Sequence, residues 1–348
     1  MNINALVKIS RYARTPFDII RNLPGSVKMA SKESFYKEYQ RKPYPRRLMD
    51  NLNWLLKYKE ANKYYTLYGM DTEEIDSTKY IDLRSFMRIR NDNNNIYSPD
   101  SETVILRNKL LFYEFMRFNE FNVPNVFAII EGGAVYDIQY KRLTNEDFER
   151  YTNYFIKAIN GECASFVKHI RAYNDYLLIK SELTETYIAQ ESVTQIKKMT
   201  ELNPGSVSTI RIVTSFNKGN PVLLGAFLRI GNKDTGCVDN TTAGGIAVGI
   251  HEDGKLFDKG FRKPEYGTSI LDAHPDTGIK FRDFIIPFYK EAINEACEAH
   301  RCLGQIKTIG WDVAITDDGP CFIEGNDNWE LQTLQAIYGG MRDKLELI

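Results

Sequence analysis

The chain has 348 residues, 43% hydrophobic and 26% charged, with a formal net charge of −1, a balance that excludes general disorder and gives no overall pull toward nucleic acid or an anionic membrane. Its five cysteines, Cys163, Cys237, Cys297, Cys302 and Cys321, form no close pair, so neither a disulfide framework nor a zinc knuckle is expected, and the four histidines show no ligand spacing. No apolar run is long enough to span a bilayer and no signal-peptide core is seen, so the expectation is a soluble cytoplasmic protein of two or three packed subdomains.

Residues 1–60 carry thirteen Lys or Arg against five Asp or Glu, an uneven distribution within a neutral total. Helix-compatible runs, Phe35–Gln40 and Leu48–Tyr65, are interrupted at Pro43 and Pro45, and residues 1–95 read as a basic, mostly helical region. The tract Asn91-Asp92-Asn93-Asn94-Asn95 is polar and turn-prone, which puts a linker and a boundary near residue 95. From Ser101 a helical pattern through Leu106, Leu110, Tyr113 and Met116 is expected to end near Asn122. Strands follow at Val126–Ile130 and Tyr154–Ile159; after the loop Asn160–Ser165, Phe166–Lys168 starts an antiparallel partner. Tyr187–Glu191 leads to a helix ending at Leu202, and Thr209–Phe216 and Val222–Ile230 read as long strands joined by the turn Asn217–Asn220. The last helix is expected over Phe281–Leu303, with Ile285, Phe288, Ala292, Ala296 and Ala299 on one stripe.

The stretch Gly310–Asn326 reads as a hairpin. A three-residue loop, Asp317-Asp318-Gly319, would set Thr316 opposite Pro320 and Asp312 opposite Glu324. Alternation then puts Asp312, Ala314, Phe322, Glu324 and Asn326 on one face and Val313, Ile315, Cys321 and Ile323 on the other. Two carboxylates and an amide oxygen are hard donors of the kind Mg²⁺ takes when it also binds substrate phosphates. A solvated hairpin is the plain alternative. The apolar second face and the polar cluster Asp327, Asn328 beside Trp329 favour a ligand set.

Lys157 stands in mid-strand among apolar neighbours, so it must either stretch to solvent or meet an anion. The loop after it, with backbone N–H groups able to wrap phosphates, favours the anion. Arg211 and Arg229 are strand arginines, for which an ion pair with a sheet neighbour is the alternative to substrate contact. Asp239–Gly245 is small, polar and glycine-containing, a place where backbone can approach an anion.

The order of these motifs resembles that of the ATP-grasp enzymes, and among them the sugar-transfer-associated ATP-grasp group. The resemblance runs from about Pro99 to Gly340. It is most specific over Ile309–Glu330 and Leu202–Thr214, then over Cys237–Gly245 and His274–Gly278. It implies an α+β fold of two lobes whose antiparallel sheets clasp ATP: a smaller lobe with a lid at 96–190 and a larger lobe with a magnesium site at 191–348, after the helical 1–95. Carried over by position, Lys109 and Lys157 are expected to reach the nucleotide phosphates, and Gln190 and Glu191 to contact adenine and ribose. Arg211 would touch the terminal phosphate or the acyl substrate, Arg229 and Asn240 the transferring phosphoryl, and Asp312, Glu324 and Asn326 two Mg²⁺ ions. The activity implied is ATP- and Mg-dependent ligation of a carboxylate to an amine through an acylphosphate, forming an amide on a sugar acid in surface-polysaccharide synthesis. The partners implied are a small-molecule or glycan-linked carboxylate and an amine, with no nucleic acid. The segment after Lys157 departs from the family's glycine-rich lid, holding only Gly161 with Glu162 beside it. Two alternatives therefore stand beside the ligase: a nucleotide-binding regulatory or scaffold protein, and a kinase that stops at phosphoryl transfer.

Overall fold

The computed structural model describes residues 16–98, 101–160, 166–217, 219–233, 244–267 and 269–345. The N-terminal region is helical, with α1 (Pro16–Ser31), α2 (Tyr44–Tyr58) and α3 (Leu83–Asn93). The two prolines start α2 instead of breaking a helix: Pro43 is its N-cap and Pro45 lies in its first turn, where a missing N–H leaves no intrahelical bond unmade. Phe35–Gln40, expected as helix, is turn and irregular chain.

The asparagine tract is not a linker. Asn91 and Asn93 complete α3, and Asn94 is buried. The Asn94 amide donates to the Thr308 carbonyl at 2.9 Å and accepts from the Thr308 N–H at 2.9 Å. One side chain thus satisfies both backbone groups at the start of a core strand, which is why so polar a tract is drawn inside.

The single helical pattern after Ser101 is divided into α4 (Val104–Arg107) and α5 (Lys109–Phe118). Asn108 makes the division, because its Oδ1 caps α5 by accepting from the N–H groups of Leu110 and Leu111 at 3.1 and 3.0 Å.

Two antiparallel sheets follow. The smaller holds β1 (Val126–Glu131), β2 (Ala134–Tyr136), β3 (Tyr154–Ala158), β4 (Val167–Ile170) and β5 (Tyr187–Glu191), in the order β2-β1-β5-β3-β4. One face of it packs on Phe148 and Tyr176, from the short helices α6 (Asn145–Glu149) and α7 (Tyr173–Ile179). The other face presents Val126 and Ile188 to Tyr113 of α5.

After α8 (Lys197–Leu202) comes the larger sheet: β6 (Thr209–Asn217), β7 (Asn220–Ile230), β8 (Ile246–Ile250), β9 (Leu256–Arg262), β10 (Ile270–Leu271), β11 (Thr308–Thr316) and β12 (Gly319–Asn326). Its order is β10-β9-β8-β7-β6-β11-β12, and β8 to β10 were not anticipated. Ile210, Ile212, Leu228, Val248, Trp311 and Val313 form the core face, covered by Ala292, Ala296 and Ala299 of α9 (Tyr289–Arg301). This helix begins later than expected. Phe288 has φ 53°, so it and Ile285 precede the helix and are 38% and 49% exposed.

α5 lies between the sheets: Phe112 and Met116 enter the larger sheet's core while Tyr113 meets the smaller sheet. The larger sheet's second face is apolar at one end, where Val213, Phe227 and Ala247 join Leu331 and Leu334 of α10 (Leu331–Tyr338) and Leu67, Ile81 and Phe86 of the N-terminal region. α11 (Arg342–Leu345) ends the described chain. The Asp327–Trp329 cluster belongs to this docking and not to a ligand site. Arg107 holds Asp327 at 2.5 Å, Arg90 reaches the Asn328 Oδ1 at 2.6 Å, and the Trp329 ring meets Phe86 with centroids 4.7 Å apart.

Candidate active site

The opposite end of that second face is polar, and the β11–β12 hairpin builds it. The pairs are Thr316 with Gly319, Ile315 with Pro320, Ala314 with Cys321 and Val313 with Phe322; the register then shifts so that Asp312 lies opposite Glu324 and Gly310 opposite Asn326. The loop is two residues, not three, and a bulge at Ile323 absorbs the difference. Asp312 and Glu324 therefore share a face, but Thr316 does not oppose Pro320, and Cys321 and Phe322 exchange the faces that strict alternation assigns them. Phe322 is in the core with Val313 and Ile315, and Cys321 stands on the face of Asp312. Gly310 admits the chain that follows: a Cβ there would lie 2.7 Å from that of Trp329.

Asp312 is 1% exposed and lies between two guanidiniums. Arg211, its cross-strand neighbour on β6, donates from Nε to Oδ1 at 2.5 Å and from Nη2 to Oδ2 at 3.0 Å. Arg229, one strand farther on β7, adds Nη1 to both oxygens at 3.1 and 3.0 Å. Both arginines are thus ion-paired to a sheet neighbour, which anchors them as fixed positive charges. Burial opposes ionisation of Asp312, but Arg211 and Arg229 outweigh it and hold the carboxyl below its usual range. Glu324 behaves in the opposite way. Burial, then the charge and hydrogen bond of Asp312, push its carboxyl above the usual range, while Lys109 and Arg229 pull it back. Asn326 donates its amide to Asp312 Oδ2 at 3.4 Å and to Glu324 Oε1 at 3.2 Å.

The smaller sheet supplies Lys157, whose Nζ donates to Gln190 Oε1 at 2.7 Å. Burial lowers its pKa to about 8; Glu324 acts to raise it and Lys109 to lower it further. Lys109 opens α5, its N–H bound to the Ile159 carbonyl at 2.9 Å. Lys109, Lys157 and Glu324 therefore sense one another across the two sheets. Beside them burial pushes the Cys321 thiol up to about 12, against the opposing charge of Lys157. Of the two β5 residues, Gln190 is buried beside Lys157, whereas Glu191 is exposed and accepts from the Asn125 amide at 3.1 Å. Asn240, and Gly161 and Glu162 of the expected lid, lie outside the described residues. The His274–Gly278 turn braces the chain leading to Asn240: His274 Nε2 donates to the Gly231 carbonyl at 2.9 Å, and Asp276 accepts from the Lys233 N–H at 2.9 Å.

Four basic side chains, Lys109, Lys157, Arg211 and Arg229, converge on two carboxylates, Asp312 and Glu324. The formal excess is positive and suits a polyanion. Among the described residues no three His, Cys, Asp or Glu side chains gather to hold a metal. The donors still fit Mg²⁺ of the kind that keeps water and phosphate oxygens as most of its ligands. Glu324 is the carboxylate whose ionisation a cation would relieve; Asp312 already spends both oxygens on guanidiniums, and Asn326 would have to present its amide oxygen in place of its nitrogen. Sequence alternation missed Cys321 on this face, and the missing signal is the bulge.

A family model described as sugar-transfer associated ATP-grasp matches residues 162–347. No curated protein matches the chain. Among solved structures, the L-amino acid ligase from Bacillus licheniformis is similar at 14% identity and a TM-score of 0.39, over 64% of this chain and 40% of that one. A biotin carboxylase from Campylobacter jejuni is similar at 10% identity and a TM-score of 0.44, over 70% and 46%. A D-alanine–D-alanine ligase from Bacillus anthracis is similar at 11% identity and a TM-score of 0.38, over 70% and 66%. The chain thus spans less than two thirds of each of these structures.

Proposed function

The chain belongs to the sugar-transfer associated ATP-grasp family and has an α+β fold of two antiparallel sheets behind a helical N-terminal region, and from that premise we propose that it is an ATP-dependent carboxylate–amine ligase. The observation that carries the reading is the convergence of Lys109, Lys157, Arg211 and Arg229 on Asp312 and Glu324, drawn from α5 and from both sheets.

In this reading Lys109 and Lys157 bind phosphate oxygens, and a bound phosphate replaces Gln190 as the partner of Lys157. Gln190 is then available to the nucleotide base, with the Glu191 segment beside the ribose. A substrate carboxylate oxygen attacks the γ-phosphorus, the bond to the bridging oxygen breaks, and ADP leaves. An amine then attacks the acylphosphate carbonyl, loses a proton, and expels phosphate to leave an amide. The protein forms no covalent bond in either step. Arg211 and Arg229, held rigid by Asp312, contribute preorganised positive charge where the transferring phosphoryl gains negative charge. Glu324, Asn326 and Asp312 would hold one or two Mg²⁺ ions, which neutralise phosphate charge when bound. Asn240 completes the set of residues assigned to the phosphoryl by family position. The family's description supports a sugar acid, small or glycan-linked, as the carboxylate in polysaccharide synthesis.

One observation favours a second reading, nucleotide binding without turnover: both oxygens of Asp312 are taken by arginines. Incubating the purified chain with ATP, Mg²⁺, candidate uronates and an amine pool separates the possibilities. ADP that requires both carboxylate and amine, with a product of amide mass, supports ligation. Amine-independent ADP with a stable phosphorylated product identifies a kinase, and tight nucleotide binding with no ADP identifies the binding protein. Glu324→Ala is expected to abolish ADP release while leaving the unfolding transition in place; undiminished ADP release by that variant rejects the metal assignment.

A further inference from the structure

α1 turns most of its large apolar side chains outward. Phe17, Ile20, Leu23 and Val27 are 79%, 69%, 42% and 39% exposed, and their spacing of three, three and four residues sets them in one row. The face turned to the protein is mixed: Asn22 donates to the Lys59 carbonyl at 3.1 Å, Ser26 and Ala30 are fully buried, and Met29, clustered with Tyr65, Tyr68 and Met70, is its one large buried apolar side chain. A surface helix ordinarily turns its apolar row inward, and a contiguous apolar row left outside marks an interaction surface.

Charge selects the partner. The ionisable groups along the exposed row are Arg21 and Lys28, both exposed cations. The single acid of the helix, Asp18, is turned away from the row toward Arg84 at 3.7 Å. Residues 1–15 add Lys8, Arg11 and Arg14 and no acid. A second copy of the chain docked on this row would set Arg21 and Lys28 against their own equivalents, and residues 1–15 folded over it would bring further cations to the same place. Both arrangements are repulsive. A convex apolar row edged by cations suits the surface of an anionic bilayer, with the side chains at the acyl boundary and the cations among the headgroups. No helix among the described residues is long and apolar enough to cross a membrane, so the attachment is peripheral.

We propose that α1 docks this protein on an anionic lipid surface through Phe17, Ile20, Leu23 and Val27, with Arg21 and Lys28 facing the headgroups. Docking is independent of the ligase reading, since a chain inactive toward ATP would still bind. The test is co-sedimentation of the full chain with vesicles of phosphatidylcholine alone and of phosphatidylcholine with phosphatidylglycerol, at low and raised salt. Binding is expected to the phosphatidylglycerol vesicles and to weaken with salt. Ile20→Asp with Val27→Asp, at positions already in solvent, should lower partitioning more than roughly tenfold with an unchanged thermal midpoint. Arg21→Gln with Lys28→Gln should lower it roughly tenfold on anionic vesicles alone. Failure of the natural chain to pellet with phosphatidylglycerol, or undiminished pelleting of the aspartate variant, overturns the proposal. A concentration-dependent dimer that Ile20→Asp dissolves also overturns it, assigning the row to a second copy.

Discussion

Asp312 shows how one position can be legible in chemistry and not in partnership. Its acidity and its place opposite Glu324 follow from alternation, but Arg211 and Arg229 lie far away in the chain and meet it only across three strands. The opposite, core face of the same sheet holds a buried chain of hydrogen bonds that no spacing announces: Trp311 Nε1 donates to Thr214 Oγ1 at 2.8 Å, that hydroxyl lies 2.7 Å from His300 Nδ1, and His300 Nε2 lies 2.7 Å from the Ile306 carbonyl. A carbonyl only accepts, so His300 carries a proton on Nε2, and in the neutral ring Nδ1 accepts from the Thr214 hydroxyl. Burial lowers its pKa from 6.5 to about 4. Above pH 6.5 the ring is neutral in folded and unfolded chains alike and contributes no pH dependence. As pH falls from 6.5 toward 4, the unfolded chain takes up a proton that the folded chain refuses, and stability drops by up to about 3 kcal/mol. Thermal midpoints of the natural chain should therefore fall between pH 6.5 and 5, and His300→Gln should show a shallower fall. Parallel slopes would mean that the ring titrates normally.

Elements were most legible where periodicity is long and least where one residue changes the register. β6 and β7 were anticipated nearly to their ends, and α9 in its alanine stripe and last turn though not in its start, because each repeats its pattern over several turns or pleats. The hairpin was anticipated in kind, but its two-residue loop and the bulge at Ile323 decide which of Cys321 and Phe322 faces the site. β8 was missed because a fully buried run lacks the alternation that identifies a strand, β9 because Asp258 and Lys259 are exposed in succession and break its alternation, and β10 because it is only two residues long. The asparagine tract was misread as a linker because composition reports turn preference and not the buried backbone that Asn94 satisfies. Asn94→Ala should therefore lower stability by about 1–3 kcal/mol, since it strands both backbone groups of Thr308. Urea unfolding measures this, and a midpoint equal to that of the natural chain would restore the linker reading.

The whole molecule is more continuous than a division at residue 95 implies. Gln335 accepts from the Ile81 N–H at 2.9 Å and donates to the Ile81 carbonyl at 3.0 Å, and Arg342 donates to the Tyr80 carbonyl at 2.8 Å. Leu67, Ile81 and Phe86 complete the apolar end of the face that carries the site at its other end. A chain of residues 96–348 alone would expose Val213, Phe227, Trp329 and Leu334, and should be insoluble or lack a cooperative transition in calorimetry. A soluble truncated chain that melts with the natural midpoint would make the N-terminal region an independent appendage. Alternation, composition and motif order determined by themselves that the chain is α+β, that its first part is helical, and that Asp312 and Glu324 share one face, because these depend on neighbours within a few residues. The tertiary structure alone decided that two arginines occupy Asp312, that the charges of Lys109 from α5 and Lys157 from the smaller sheet act on Glu324, and that α1 turns its apolar row outward. Those facts depend on which distant surfaces meet, and a linear pattern carries no record of that.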